Sequence, residues 1–111
     1  MDIASVIDQV KPLVPKAQML TKPINSVGDY LFFSHMSFAQ TVPKVHMSIY
    51  LARKELRTDL ADVFEVLETL MAERSELFEI EKMRPVPMEG LFVIYQIDIA
   101  VHLYYQRGEI V

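Results

Sequence analysis

The chain contains no cysteine. Disulfides, thiolate catalysis and Cys-ligated zinc or iron–sulfur centres are thereby excluded, and the composition suits a reducing interior. Glycine is scarce: Gly28, Gly90 and Gly108 stand alone, so no Gly-rich loop is available to cradle phosphate. Positive charge is also short, with 11 Lys and Arg against 15 Asp and Glu and a formal net charge of −4. The basic residues are scattered and form no stripe, so phosphate neutralisation is not supplied and no specific nucleic-acid binding is expected. Long apolar runs are missing too. The most apolar stretch, 91–105, is shorter than a membrane span and carries Gln96, Asp98 and His102, so it reads as core. The start, Met1-Asp2-Ile3-Ala4-Ser5, has neither a basic n-region nor an apolar h-region, and no secretory signal is expected.

What is present is core material. Hydrophobic residues make up 51% of 111 positions and charged residues 23%, which favours one folded domain over 1–111 and argues against disorder. No repeat or low-complexity tract divides it. Ile3, Val6, Ile7 and Val10 recur at helical spacing and predict a short helix over 2–11, stopped by Pro12 and Pro15. A short extended piece, 16–20, leads into a turn around Pro23, Asn25 and Gly28. Residues 30–38 are aromatic-rich and favour a strand, although their alternation is imperfect and a helical turn remains an alternative. Val45, Met47, Ile49 and Leu51 alternate with His46, Ser48, Tyr50 and Ala52, the period of a strand.

A helix is predicted over 59–74. Thr58 or Asp59 caps it, and Leu60, Val63, Phe64, Leu67, Leu70 and Met71 form a core stripe opposite Asp62, Glu65, Glu68, Thr69 and Glu73. Met47 and Met71 are accordingly assigned to the core. A strand follows over 77–83, with Phe78 and Ile80 inward. Residues 84–90 read as a loop because Pro85 and Pro87 cannot serve a central ladder. Residues 91–105 then alternate throughout: Val93, Tyr95, Ile97, Ile99, Val101, Leu103 and Tyr105 on one face, and Gln96, Asp98, Ala100 and His102 on the other. The expected fold class is α+β: an antiparallel sheet with one long helix (about 59–74) and a short N-terminal helix packed on one face.

Chemistry-bearing residues are few. His35, His46 and His102 have no metal-ligand spacing, and neighbouring strands offer the only way for two of them to meet near Asp98. Asp98 and His102 share a face but lie about 13 Å apart along a flat strand, too far to form a dyad. In a helix the same spacing would bring them together. The serines show no nucleophile elbow and no recognisable partner arrangement. Glu65, Glu68 and Glu73 read as a solvated helix face. No catalytic residue, metal or cofactor is assigned, and an enzyme is not expected. Val86 and Met88, on the proline loop with Arg84, are candidate docking residues.

From Tyr50 to Tyr104 the layout has a recognisable shape. A strand ends in Tyr50-Leu51-Ala52-Arg53-Lys54-Glu55-Leu56-Arg57, a helix follows with Val63-Phe64-Glu65-Val66-Leu67, and a strand and proline loop lead to Gly90-Leu91-Phe92-Val93-Ile94-Tyr95-Gln96-Ile97. Leu13-Val14-Pro15-Lys16-Ala17 and Tyr30-Leu31-Phe32-Phe33 precede it. This resembles the small tail proteins of Mu-like contractile-tailed phages and prophages, in the tail-terminator or tail-completion class. The resemblance covers most of the chain in layout and only short stretches in residues. It implies a ring-forming structural protein, commonly a homohexamer, that caps the tail tube and meets the head connector, in the virion tail or the host cytoplasm. Arg53 and Arg57 join Arg84, Val86 and Met88 as candidate interface residues. Two readings stand beside it: a regulatory module that binds a host protein, and a small enzyme or metal-binding domain built on the sheet-face His and Asp residues.

Overall fold

A computed structural model describes residues 3–38, 43–54, 60–74, 78–86 and 93–103. Helix α1 (Ile3–Val10) passes into a 3₁₀ turn (Lys11–Leu13), β1 (Ala17–Met19), β2 (Gly28–Ser37) and β3 (Lys44–Arg53). Helix α2 (Leu60–Ala72), β4 (Phe78–Val86) and β5 (Val93–His102) complete the order. The five strands form one sheet in the order β1-β2-β3-β5-β4.

Alternation sets the two faces. Val45, Met47, Ile49 and Leu51 of β3 and Tyr95, Ile97, Ile99 and Val101 of β5 are buried in one cluster with Val6 and Val10 of α1 and Val63 and Leu70 of α2. Both helices therefore cover the same face, as their stripes require. Residues at the alternate positions look out on the other, helix-free face.

Several expectations are corrected. The sheet is mixed, not purely antiparallel, because β1 runs parallel to β2 with Ala17 opposite Asp29 and Met19 opposite Leu31. It can do so because it contributes only three residues, and 20–27 return the chain to the start of β2. The main helix is 13 residues, shorter than expected. Arg84, Pro85 and Val86 belong to β4, not to a loop. The proline is tolerated because β4 lies at the sheet edge, where a missing N–H costs no ladder bond on the open side. Phe64 and Met71 are 46% and 47% exposed, so the core stripe of α2 is narrower than the sequence suggested. Thr58 and Asp59, Arg57, Pro87 and Met88, and the ends of the 91–105 stretch lie outside the described residues.

Two β-bulges interrupt the ladders. One falls between Phe33 and His35, making Ser34 the extra residue of β2. The other falls between Ile80 and Lys82, making Glu81 the extra residue of β4. The first explains the imperfect alternation of 30–38: one inserted residue resets the period of two.

Candidate functional site on the open sheet face

Polar residues at the outward positions of four strands gather into three neighbouring groups on the helix-free face. At the centre is His46, in the middle of β3's polar row. Its Nε2 lies 2.8 Å from Ser37 Oγ on β2, and its Nδ1 lies 3.0 Å from Glu81 Oε1 on β4. A carboxylate only accepts, so the proton sits on Nδ1. In the neutral ring Nε2 is then the acceptor, and the Ser37 hydroxyl donates to it. His35 stacks on His46 with centroids 4.3 Å apart and planes 7° from parallel, and its Nδ1 meets Ser34 Oγ at 2.9 Å. The β2 bulge sets His35 opposite His46 and turns Ser37 to the open face, where Glu81 already lies by alternation from Glu79.

Glu79 Oε1 receives Lys44 Nζ at 3.1 Å and lies 3.7 Å from His102 Nε2. His102 Nδ1 is buried with no partner among the described residues. Along the strands, Asp98 Oδ1 accepts from Ser48 Oγ at 2.7 Å and Gln96 Nε2 at 2.8 Å, and Asp98 Oδ2 lies 3.8 Å from Lys82 Nζ. A concavity of about 470 Å³ sits over this array, walled by Ser34, His35, His46, Ser48, Glu81, Lys82, Gln96 and Asp98. Among the described residues, no group of three or more His, Asp or Glu side chains is arranged to hold a metal ion. No helix there is long and apolar enough to cross a membrane.

The histidines thus part company. His35 and His46 meet, while His102 joins Glu79 and Lys44. Asp98 and His102 share the open face without forming a dyad, as the strand reading required, since β5 pairs Asp98 with Ser48 and His102 with Lys44. Sequence reasoning misses the linked set Ser37, His46 and Glu81. Its members are far apart in sequence, and neither bulge shows as more than a flaw in alternation.

Arg53 is the clearest correction among the candidate interface residues. It is 7% exposed. Its Nη1 donates to Asp29 Oδ1 at 2.7 Å and to the Ala52 and Gly28 carbonyls, and its Nε donates to Asp62 Oδ2 at 2.8 Å. It ties β3 to β2 and α2 and leaves little of itself at the surface. Arg84 is exposed on the edge strand, with Nη2 3.4 Å from Gln96 Oε1, and Val86 is half-buried.

No family model matches the chain, and no curated protein does.

A second surface lies on α2. Asp62, Glu65, Val66 and Thr69 line a cleft of about 310 Å³ against residues 12–16. On a helix of 3.6 residues per turn, Phe64 and Met71 fall on the opposite flank, with Glu68 between them along the helix. They form an exposed apolar pair two turns apart, next to carboxylates.

Proposed function

We propose that the chain is a structural tail-assembly protein of the tail-terminator class, working by binding protein surfaces: further copies of itself in a ring, and neighbouring tail or connector proteins. The observation that carries this reading is the outward pair Phe64 and Met71 on α2, each about half exposed on a helix whose inner face is already satisfied by Val63 and Leu70. Exposed large side chains in a row, rimmed by charge, suit a contact surface. Phe32, at 39%, and Phe38, at 69%, add exposed aromatics on and just beyond β2. The layout of two helices on one face of a five-stranded sheet is compatible with the resemblance of the sequence to Mu-like tail proteins. A ring requires a heterologous interface that closes, and a chain with apolar side chains exposed on both α2 and the β2 region has the two unlike surfaces such an interface uses.

The test is mass measurement and electron microscopy of the purified chain over a wide concentration range. A closed ring, or a monomer that converts to one, is expected. A strict dimer at all concentrations overturns the ring. Stoichiometric capture of one host protein, with no self-assembly, points instead to a regulatory module.

A further inference from the structure

The geometry points to an acyl-transfer site on the open sheet face, with Ser37 as nucleophile, His46 as general base and Glu81 as the residue that positions the imidazole; we propose short-chain acyl esters as its substrate class. This goes beyond the assembly reading and does not depend on it. Three features carry it. First, a hydroxyl at 2.8 Å from Nε2 and a carboxylate at 3.0 Å from Nδ1 of one imidazole is the hydrogen-bond order of a serine nucleophile, its base and the group that fixes the base's tautomer. Secondly, Glu81 reaches His46 from β4. Alternation from Glu79 already sets Glu81 on the open face, and the bulge turns Lys82 to that face as well, opposite Asp98. Thirdly, a concavity of about 470 Å³ opens against His46 and Glu81; Ser37 does not line it, so an ester held there meets the hydroxyl across the His46 ring.

The reaction balances without any further reagent. The Ser37 Oγ–H bond breaks as Oγ attacks the ester carbonyl carbon, and the proton passes to His46 Nε2. The carbonyl oxygen becomes an oxyanion, while the Lys44 ammonium stays with Glu79 at 3.1 Å. Collapse expels the alkoxide, which takes the proton from His46 and leaves as the alcohol. Water, deprotonated by His46, then cleaves the Ser37 ester, releasing the carboxylic acid and restoring the hydroxyl. The sum is ester plus water to acid plus alcohol. Glu81 holds Nδ1–H throughout and leaves Nε2 free to take the proton.

The experiment uses the full chain and a fluorophosphonate probe, which labels an activated serine with loss of fluoride, and maps the adduct by peptide mass spectrometry. Labelling at Ser37 is expected. His46→Gln should slow it about 10²-fold, the low end of what a positioned base contributes. Glu81→Gln should lower the maximal labelling rate while leaving the half-saturating probe concentration and the melting temperature unchanged, a split that a merely structural role does not produce. Because the chain has no cysteine, Ser37→Cys supplies a second reading: its single thiol should be alkylated by iodoacetamide faster with His46 present than in the His46→Gln background. Absence of label at Ser37, or label that persists unchanged in His46→Gln, overturns the proposal. So does an alkylation rate in the Ser37→Cys variant that is indifferent to His46. None of these outcomes bears on ring formation.

Discussion

Arg53 is the residue on which three elements converge. Its guanidinium and the Asp29 carboxylate are both removed from water, at 8% and 9% exposure, while Asp62 is 53% exposed. The two ion pairs are therefore unequal. Removing one partner of a buried pair leaves the other uncompensated, and this costs about 3–5 kcal/mol. Removing a partner at the surface costs at most about 1 kcal/mol. Arg53→Met is expected to lower the urea unfolding free energy by about 3–5 kcal/mol, and Asp62→Asn by no more than about 1 kcal/mol. Combining Arg53→Met with Asp29→Leu should recover much of the loss, because no buried charge is then stranded. Equal effects of Arg53→Met and Asp62→Asn would show that Asp29 finds water when Arg53 is gone.

At the scale of the element, α2 separates folding from contact. Val63 and Leu70 are fully buried two turns apart, and Phe64 and Met71 are each about half exposed one position further on. Leu70→Ala should cost about 2–5 kcal/mol, the transfer loss plus a cavity. Phe64→Ser with Met71→Ser should change stability by roughly 0.5 kcal/mol per site or less while weakening self-association in the same preparation. Urea unfolding of monomer and mass photometry of assembly measure the two quantities separately. A large loss of stability in the double serine variant would mean that the outer pair packs within the chain after all. This helix also shows what the sequence conveyed and what it did not. Its existence and position followed from spacing, but a stripe two residues wide cannot say which of its edges is covered. That depends on the 3₁₀ turn approaching one flank only. β3 and β5 were legible because both faces obey a strict period of two. Pro85 misled because a proline reports on the ladder, and only strand order reveals that β4 is an edge. The parallel pairing of β1 rests on three residues, too few to carry a pattern. The Ser37–His46–Glu81 set depends on the β2 bulge, and a single inserted residue leaves no signature beyond a broken alternation.

At the scale of the whole molecule, charge decides how copies can meet. The α2 surface presents Phe64 and Met71 beside the exposed carboxylate of Glu68, with exposed Glu65 turned further round toward the cleft. A symmetric dimer through α2 would set these carboxylates against their own copies, and like charges across an interface are unfavourable. A heterologous contact instead brings α2 to a different surface of the next copy. Exposed Lys16, Met19 and Lys22 lie on and around β1, the edge strand at the opposite side of the sheet from β4, and offer the opposite charge with an apolar side chain among them. Edge-to-edge pairing through β4 is discouraged by its bulge, by Pro85 and by Glu81, Lys82 and Arg84. The two modes of assembly respond oppositely to salt. Screening shortens from about 10 Å at 0.1 M to about 3 Å at 1 M. A heterologous contact between unlike charges should therefore weaken as salt is raised over that range, whereas a symmetric α2 dimer should strengthen as its carboxylates are screened. Glu65→Lys with Glu68→Lys should abolish the heterologous assembly, as should Lys16→Glu with Lys22→Glu. Mixing the two variants should restore both unlike-charge contacts between them, read by mass photometry as an alternating assembly larger than two chains where each variant alone stays monomeric. Assembly that survives either charge reversal, or that tightens with salt, would place the contact elsewhere and leave the outer flank of α2 to a partner other than a second copy.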